Sequence, residues 1–181
     1  MTKKYVIAFL LACSVVSAAP FEPPAAIFDT ASCLISHLRV RDHSDWAVVY
    51  QDKSGVWRMF VGMKSFLEFI HYPEKYVGEP TRHGGDIYVR DYLTKKWIPA
   101  MFAYFVVGDS IMGPNGRDAI SFESRKNAEK YQKKHSACAI LRFMAMRRSV
   151  LAYLKGISPD STDVDSVIVP KVLEVKRPRG S

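Results

Sequence analysis

The residues that most constrain this chain are 97–107, WIPAMFAYFVV, an almost unbroken apolar run that stops abruptly at Gly108-Asp109-Ser110. The run is well short of the roughly 20 residues that a membrane-spanning helix requires, so protein must bury it. Residues 101–107 fit a strand covered on both faces. Just past the break, Ile111-Met112-Gly113-Pro114-Asn115-Gly116 sets a methionine against a turn sequence. Turns favour Gly, Pro, Asn, Asp and Ser. Met112 therefore either folds back into the core as a gap-filler or presents its thioether from a loop.

The rest of the chain supplies elements to surround that strand. Residues 45–51 are rich in strand formers, 52–55 (DKSG) form a turn, and 56–61 return, which reads as a hairpin. Residues 63–70 then form a short helix, with Phe66, Phe69 and Ile70 on one face and Pro73 as its stop. Residues 76–85 read as a Gly- and Pro-containing loop. A strand over 86–92 is answered across the Lys95-Lys96 turn by 97–100. After Met112, residues 118–122 form a strand and Ser124 stands as N-cap for a helix over 125–135, with Ala128 and Tyr131 facing inward. Residues 139–143 form the last strand. The phrases RMFVGMKSFLEFI and AISFESRKNAEKY share one form, strand then bend then helix. The expected architecture is α+β, two ββα-like units with antiparallel sheets, plus a C-terminal extension.

Residues 1–19 read as an export leader: Lys3 and Lys4 precede a short apolar segment, 5–12. Two processing sites compete. Val16-Ser17-Ala18 suits a signal peptidase, and Leu10-Leu11-Ala12-Cys13 resembles a lipobox that would make Cys13 a membrane anchor. Either way the expected location is periplasmic or otherwise extracytoplasmic. Residues 20–44 hold a Pro-rich spacer and a weakly helical segment, 45–143 the main domain, and 144–181 the extension. Within that extension 144–155 is helical in pattern, with Val150, Leu151 and Leu154 on one face. Residues 158–166 read as a loop, 167–175 as strand-like and 176–181 as a basic tail. The net charge of +8 suits an acidic partner or an anionic lipid surface. No nucleic-acid motif accompanies it.

Cys33 and Cys138 are too far apart in sequence to form a motif. They are open to three readings: a disulfide, two thiols, or soft metal ligands. The chain has no nucleophile elbow, no HExxH, no P-loop and no CxxC. Asp86, Asp91, Asp109 and Asp118 fall at strand ends and turns, where Asp ordinarily accepts backbone N–H groups. Nothing marks an enzyme. Met59, Met63, Met101, Met144 and Met146 show no metal-binding repeat and read as packing residues.

Several separated elements recur here in one order: Asp91-Tyr92-x-Thr94, Trp97-Ile98-x-Ala100, Ala103-Tyr104-x-Val106-Val107-Gly108-Asp109, Met112-Gly113, Ala119-x-x-Phe122 and Ala128-Glu129. The pattern resembles the NosL family, copper-binding lipoproteins that act as accessory factors in maturing periplasmic nitrous-oxide reductase. The resemblance implies a similar pair of ββα-type units, copper as cargo, and Met112 as a ligand. Many relatives carry a CxxCGM-like segment before the first strand. The corresponding stretch is Cys33-Leu34-Ile35-Ser36-His37-Leu38, with Ser36 in place of the second cysteine and Leu38 in place of the methionine. His37 or His43 would complete a Cys33–His–Met112 set, and N and S donors suit soft Cu(I).

Two functional expectations follow. The first is an exported copper(I)-binding accessory protein that passes metal by ligand exchange to an apo copper enzyme such as nitrous-oxide reductase, or to a copper transporter. The second is a metal-free scaffold of the same type, acting as a protein-binding module through residues 97–107 or the basic tail.

Overall fold

The computed structural model describes residues 21–78, 84–135 and 138–157. The leader, Cys13, part of the 76–85 loop, and the loop, strand and tail expected over 158–181 lie outside the described residues.

A short helix α1 (Ala25–Thr30) opens the described chain, followed by a turn over residues 33–38 and a 3-10 segment, Val40–Trp46. The hairpin expected next is present: β1 (Val48–Asp52) pairs antiparallel with β2 (Trp57–Phe60). Asp45 and Trp46, expected in the strand, belong instead to the 3-10 segment. Helix α2 (Met63–His71) follows, burying Phe66 and Phe69 as their spacing requires. Pro73 ends it but also opens α3 (Glu74–Val77), a single turn too short to show periodicity in the sequence. Strands β3 (Gly85–Arg90) and β4 (Trp97–Pro99) complete a four-stranded antiparallel sheet of order β2-β1-β3-β4.

The apolar run resolves differently at its two ends. Residues Ala100–Phe102 form a 3-10 turn, with Met101 and Phe102 exposed, so the strand expected from Met101 begins later. Pro99 cannot donate to a ladder and marks the change. Strand β5 (Tyr104–Gly113) then runs on through Gly108-Asp109-Ser110, where a break was expected. A register shift between Val107 and Met112 absorbs the polar residues, and pairing with β6 (Gly116–Phe122) resumes at Met112–Arg117. Helix α4 (Arg125–Lys134) and β7 (Cys138–Arg142) complete a second sheet of order β6-β5-β7. Ser124 occupies the N-cap position of α4, but its side chain makes no capping hydrogen bond.

Burial on both faces holds over residues 105–107 but not at Met101 and Phe102, where it was also expected. Phe105 and Val107 face the main core with the first sheet and α2, whereas Val106 packs with Ile120, Phe122, Ala128 and Cys138 in a second core under α4. Strand alternation alone produces this division. The expected aromatic binding face over 97–107 is thus mostly interior; only Met101 and Phe102 leave a large apolar side chain outside. Helix α5 (Arg148–Leu154) adds Val150, Leu151 and Leu154 to the main core, beside Met146.

The two units are joined at Asp91. Its Oδ1 accepts the N–H groups of Leu93 (3.0 Å) and Thr94 (2.7 Å) and the Thr94 hydroxyl (2.9 Å). Its Oδ2 accepts the N–H of Glu123 across the junction at 2.7 Å. Beside it Tyr92 N–H donates to Ser121 O (2.7 Å), and Ser121 Oγ donates to Arg90 O (2.6 Å). Burial works against the Asp91 charge, but the Thr94 and Glu123 donors outweigh it and hold the carboxyl below its usual range.

Candidate metal centre

Three segments meet at the end of the molecule where β5 turns into β6. The first is the hairpin itself, with Met112 on β5 and the turn at Pro114-Asn115. Met112 is 59% exposed, so of the two alternatives the sequence left open its thioether is presented outward. The second is the 3-10 segment carrying His43. Its Trp46 lies so close to Gly113 that a Cβ there would sit 3.1 Å from the indole. The third is the 33–38 turn, whose Ile35 shares a cavity wall with Asn115 of the hairpin.

The hairpin is held from beneath by Asp118, which is fully buried. A Cβ on Gly113 would fall 2.9 Å from Asp118 Cβ, and one on Gly62 would fall 1.9 Å from Asp118 Oδ2. Two glycines, one on each approaching segment, make room for the carboxyl. Asp118 Oδ1 accepts the N–H groups of Lys64 and Ala119, both at 2.8 Å. Oδ2 has no partner among the described residues. Burial dominates over these donors and pushes Asp118 up to about 7. Farther along, the bulged part of β5 is tied to α5 and β6: Tyr153 Oη donates to Asp109 Oδ1 at 2.9 Å, and Arg117 reaches the same oxygen at 3.5 Å.

The candidate ligands are placed unequally. Cys33 is 1% exposed, with its side chain in the main core. Its turn is closed by Cys33 N–H to Leu38 O (2.8 Å), His37 N–H to Cys33 O (2.9 Å) and a bridge between Ser32 and Arg39. His37 is exposed and adopts a left-handed backbone (φ 59°). His43 is half-buried at the kink of its 3-10 segment. Solvent therefore reaches the Met112 sulfur directly and the Cys33 sulfur hardly at all. Cys138 is buried in the second core, so no disulfide joins it to Cys33 in the first. Burial raises the Cys138 thiol, with a hydrogen bond to Ser110 opposing. Among the described residues, no three His, Cys, Asp or Glu side chains cluster in a way that could hold a metal ion. A metal here would depend on thioether sulfur.

Lys64, Ser65, Glu68 and Asp118 were hardly signalled along the chain. Their signal was weak: a glycine, Gly62, where a helix ordinarily has a capping side chain, and an aspartate at the start of an otherwise apolar strand.

The family model described as NosL matches residues 24–151. No curated protein matches the chain. Among solved structures, the crystal structure of the copper chaperone NosL from Shewanella denitrificans is similar, with a TM-score of 0.56 at 22% identity. The alignment covers 72% of this chain and 99% of that one.

Proposed function

This chain belongs to the NosL family, and on that premise we propose that it is an exported copper(I)-binding accessory protein that hands its metal to a periplasmic copper enzyme such as nitrous-oxide reductase. The family is non-enzymatic, in keeping with the absence of catalytic motifs. One observation carries the reading: Met112 holds an exposed thioether on a hairpin fixed by Gly113 against Trp46 and Asp118. Such a sulfur contributes little to packing and is available to a soft cation.

Cys33, with His37 or His43, completes the donor set we assign. Cys33 would bind as thiolate once the 33–38 turn opens to admit metal, and its proton would then pass to solvent. Copper remains Cu(I) throughout, and each sulfur or nitrogen donor is exchanged for one of the recipient's, with no electron transferred. Few donors of unequal accessibility suit transfer better than storage. Export would place the protein outside the cytoplasm, with Cys13 as the lipid-bearing residue if the lipobox is used. No helix among the described residues is long and apolar enough to cross a membrane.

The test is Cu(I) affinity measured by competition with a chromogenic chelator, for wild type and Met112→Ala. Loss of affinity in the variant supports the reading; unchanged or absent binding removes the metal role. The second reading, a metal-free binding module, draws on Ser36 in place of a second sulfur and on the apolar side chains of Met101, Phe102 and Met144, exposed on adjoining 3-10 turns.

A further inference from the structure

A cavity of about 200 Å³ lies beneath the 33–38 turn, bounded by α2, α3, the β5–β6 turn and the end of α5. Its polar lining is unevenly satisfied. Glu68 is fully engaged: Oε1 accepts Tyr76 Oη at 3.0 Å and Lys75 Nζ at 3.5 Å, and Oε2 accepts Lys155 Nζ at 2.8 Å. Lys64 is not. Its Nζ donates to the backbone carbonyl of Asn115 and makes no ion pair among the described residues. Ser65 is 1% exposed, and its Oγ has no partner among the described residues.

A buried hydroxyl without a partner and a half-buried ammonium in no ion pair, on which Asp118 and Glu68 act only from a distance, can both be served by an anionic oxygen. Lys64 and Lys155 line the cavity with the single carboxylate of Glu68, which Lys75 also pairs, so positive groups outnumber negative ones there. The Lys155 side chain at its mouth is 38% exposed, which leaves a way in from solvent. The volume admits a carboxylate and its adjoining methylenes.

Lys64 also touches the candidate metal hairpin. Its Nζ lies 3.3 Å from where a Cβ of Gly116 would stand. An arriving carboxylate would take one of this ammonium's remaining donors and draw it away from the Asn115 carbonyl, because a charged acceptor binds more strongly than a neutral one. Binding would then weaken one restraint on the turn that follows Met112.

We propose that this cavity receives the carboxylate of an Asp or Glu side chain from the protein that exchanges metal with this one, and that Lys64 conveys its arrival to the Met112 hairpin. This rests on the metal-transfer reading for its purpose, but the binding itself is measured without metal. The full chain, metal-free and ¹⁵N-labelled, is titrated with acetyl-Gly-Glu-Gly-amide, with its Gln counterpart and with sodium acetate. The Glu peptide produces saturable amide shifts at Ser65 and at Gly116, whose nitrogen senses the hydrogen bond accepted by the Asn115 carbonyl. The Gln peptide produces none.

Ser65→Ala, which removes only an unpartnered hydroxyl, weakens the Glu peptide by about fivefold. Lys64→Gln abolishes the Gly116 response. Equal shifts from the Gln peptide, no saturation by the Glu peptide, or unchanged affinity in Ser65→Ala would overturn the site. Acetate binding as tightly as the peptide would overturn the partner and leave a free-anion site. None of these outcomes depends on copper, so failure here and failure of Cu(I) binding are separable.

Discussion

Asp118 on β6 caps helix α2 from 54 positions away in sequence, its Oδ1 accepting the Lys64 N–H at 2.8 Å. Gly62, at the N-cap position, has no side chain to do this itself, and a Cβ there would strike the carboxyl that replaces it. One buried acid thus fixes both the start of α2 and the underside of the Met112 hairpin.

Asp118 makes stability fall as pH rises. Its folded value, near 7, lies above the value near 3.8 of a free side chain. Between those values the folded chain holds a proton that the unfolded chain has lost, so the group opposes folding increasingly from about pH 4 to pH 7. The difference amounts to about 4 kcal/mol at most. Asp118→Asn, whose amide oxygen still accepts from Lys64, removes this dependence. Chemical denaturation of both proteins at pH 5 and pH 8 checks it; identical pH slopes would argue against a buried titrating acid.

Gly62→Ala lowers stability by about 2 kcal/mol or more, because the new methyl meets Asp118 Oδ2 at 1.9 Å and one segment has to move. The φ of Gly62 is 166°, an extended value open to any residue, so the cost is steric. The double variant Gly62→Ala, Asp118→Ala recovers part of the loss, and a double-mutant cycle by thermal melting measures how much.

Asp91→Ala strands the N–H groups of Leu93, Thr94 and Glu123 and costs about 3 kcal/mol or more. Asp91→Asn costs less, since one oxygen still serves the turn. Amide exchange read by mass spectrometry should open first at the junction of β3 with the β6–α4 connection. Uniform opening throughout the chain would mean that Asp91 is not the joint between the units.

Met112→Ala weakens Cu(I) binding by roughly tenfold or more and changes stability by no more than about 0.5 kcal/mol, as expected of an exposed side chain. Cys33→Ala also weakens Cu(I) binding but destabilises the fold, because its side chain sits in the main core. Melting curves collected beside the affinities distinguish the two effects.

Native protein reacts slowly with a disulfide reagent at both Cys33 and Cys138, and quickly at both once denaturant is added, because both are buried. Rapid native labelling of Cys33 would mean that the 33–38 turn opens readily, which would ease its access to metal.

The elements near Phe66, Phe69 and Ala128 were legible because helical spacing is a local property, and so was the apolar strand at 105–107. The boundaries at Ala100–Phe102 and Gly108-Asp109-Ser110 were not, since a 3-10 turn and a register shift leave no periodic trace. Met112 was legible as a candidate through its place beside a turn and through resemblance. The cavity around Lys64 and Ser65 was not legible, because its lining residues come from five separate parts of the chain.

By itself the sequence determined the order and type of the main elements, the class of fold and the NosL pattern, all carried by neighbours along the chain. It left undecided which sulfur faces water and whether the two distant cysteines join. Tertiary structure decided both, turning Met112 outward and burying Cys33 and Cys138 in different cores. The reason is physical: exposure depends on what other segments cover, and covering segments are brought up from far away in sequence.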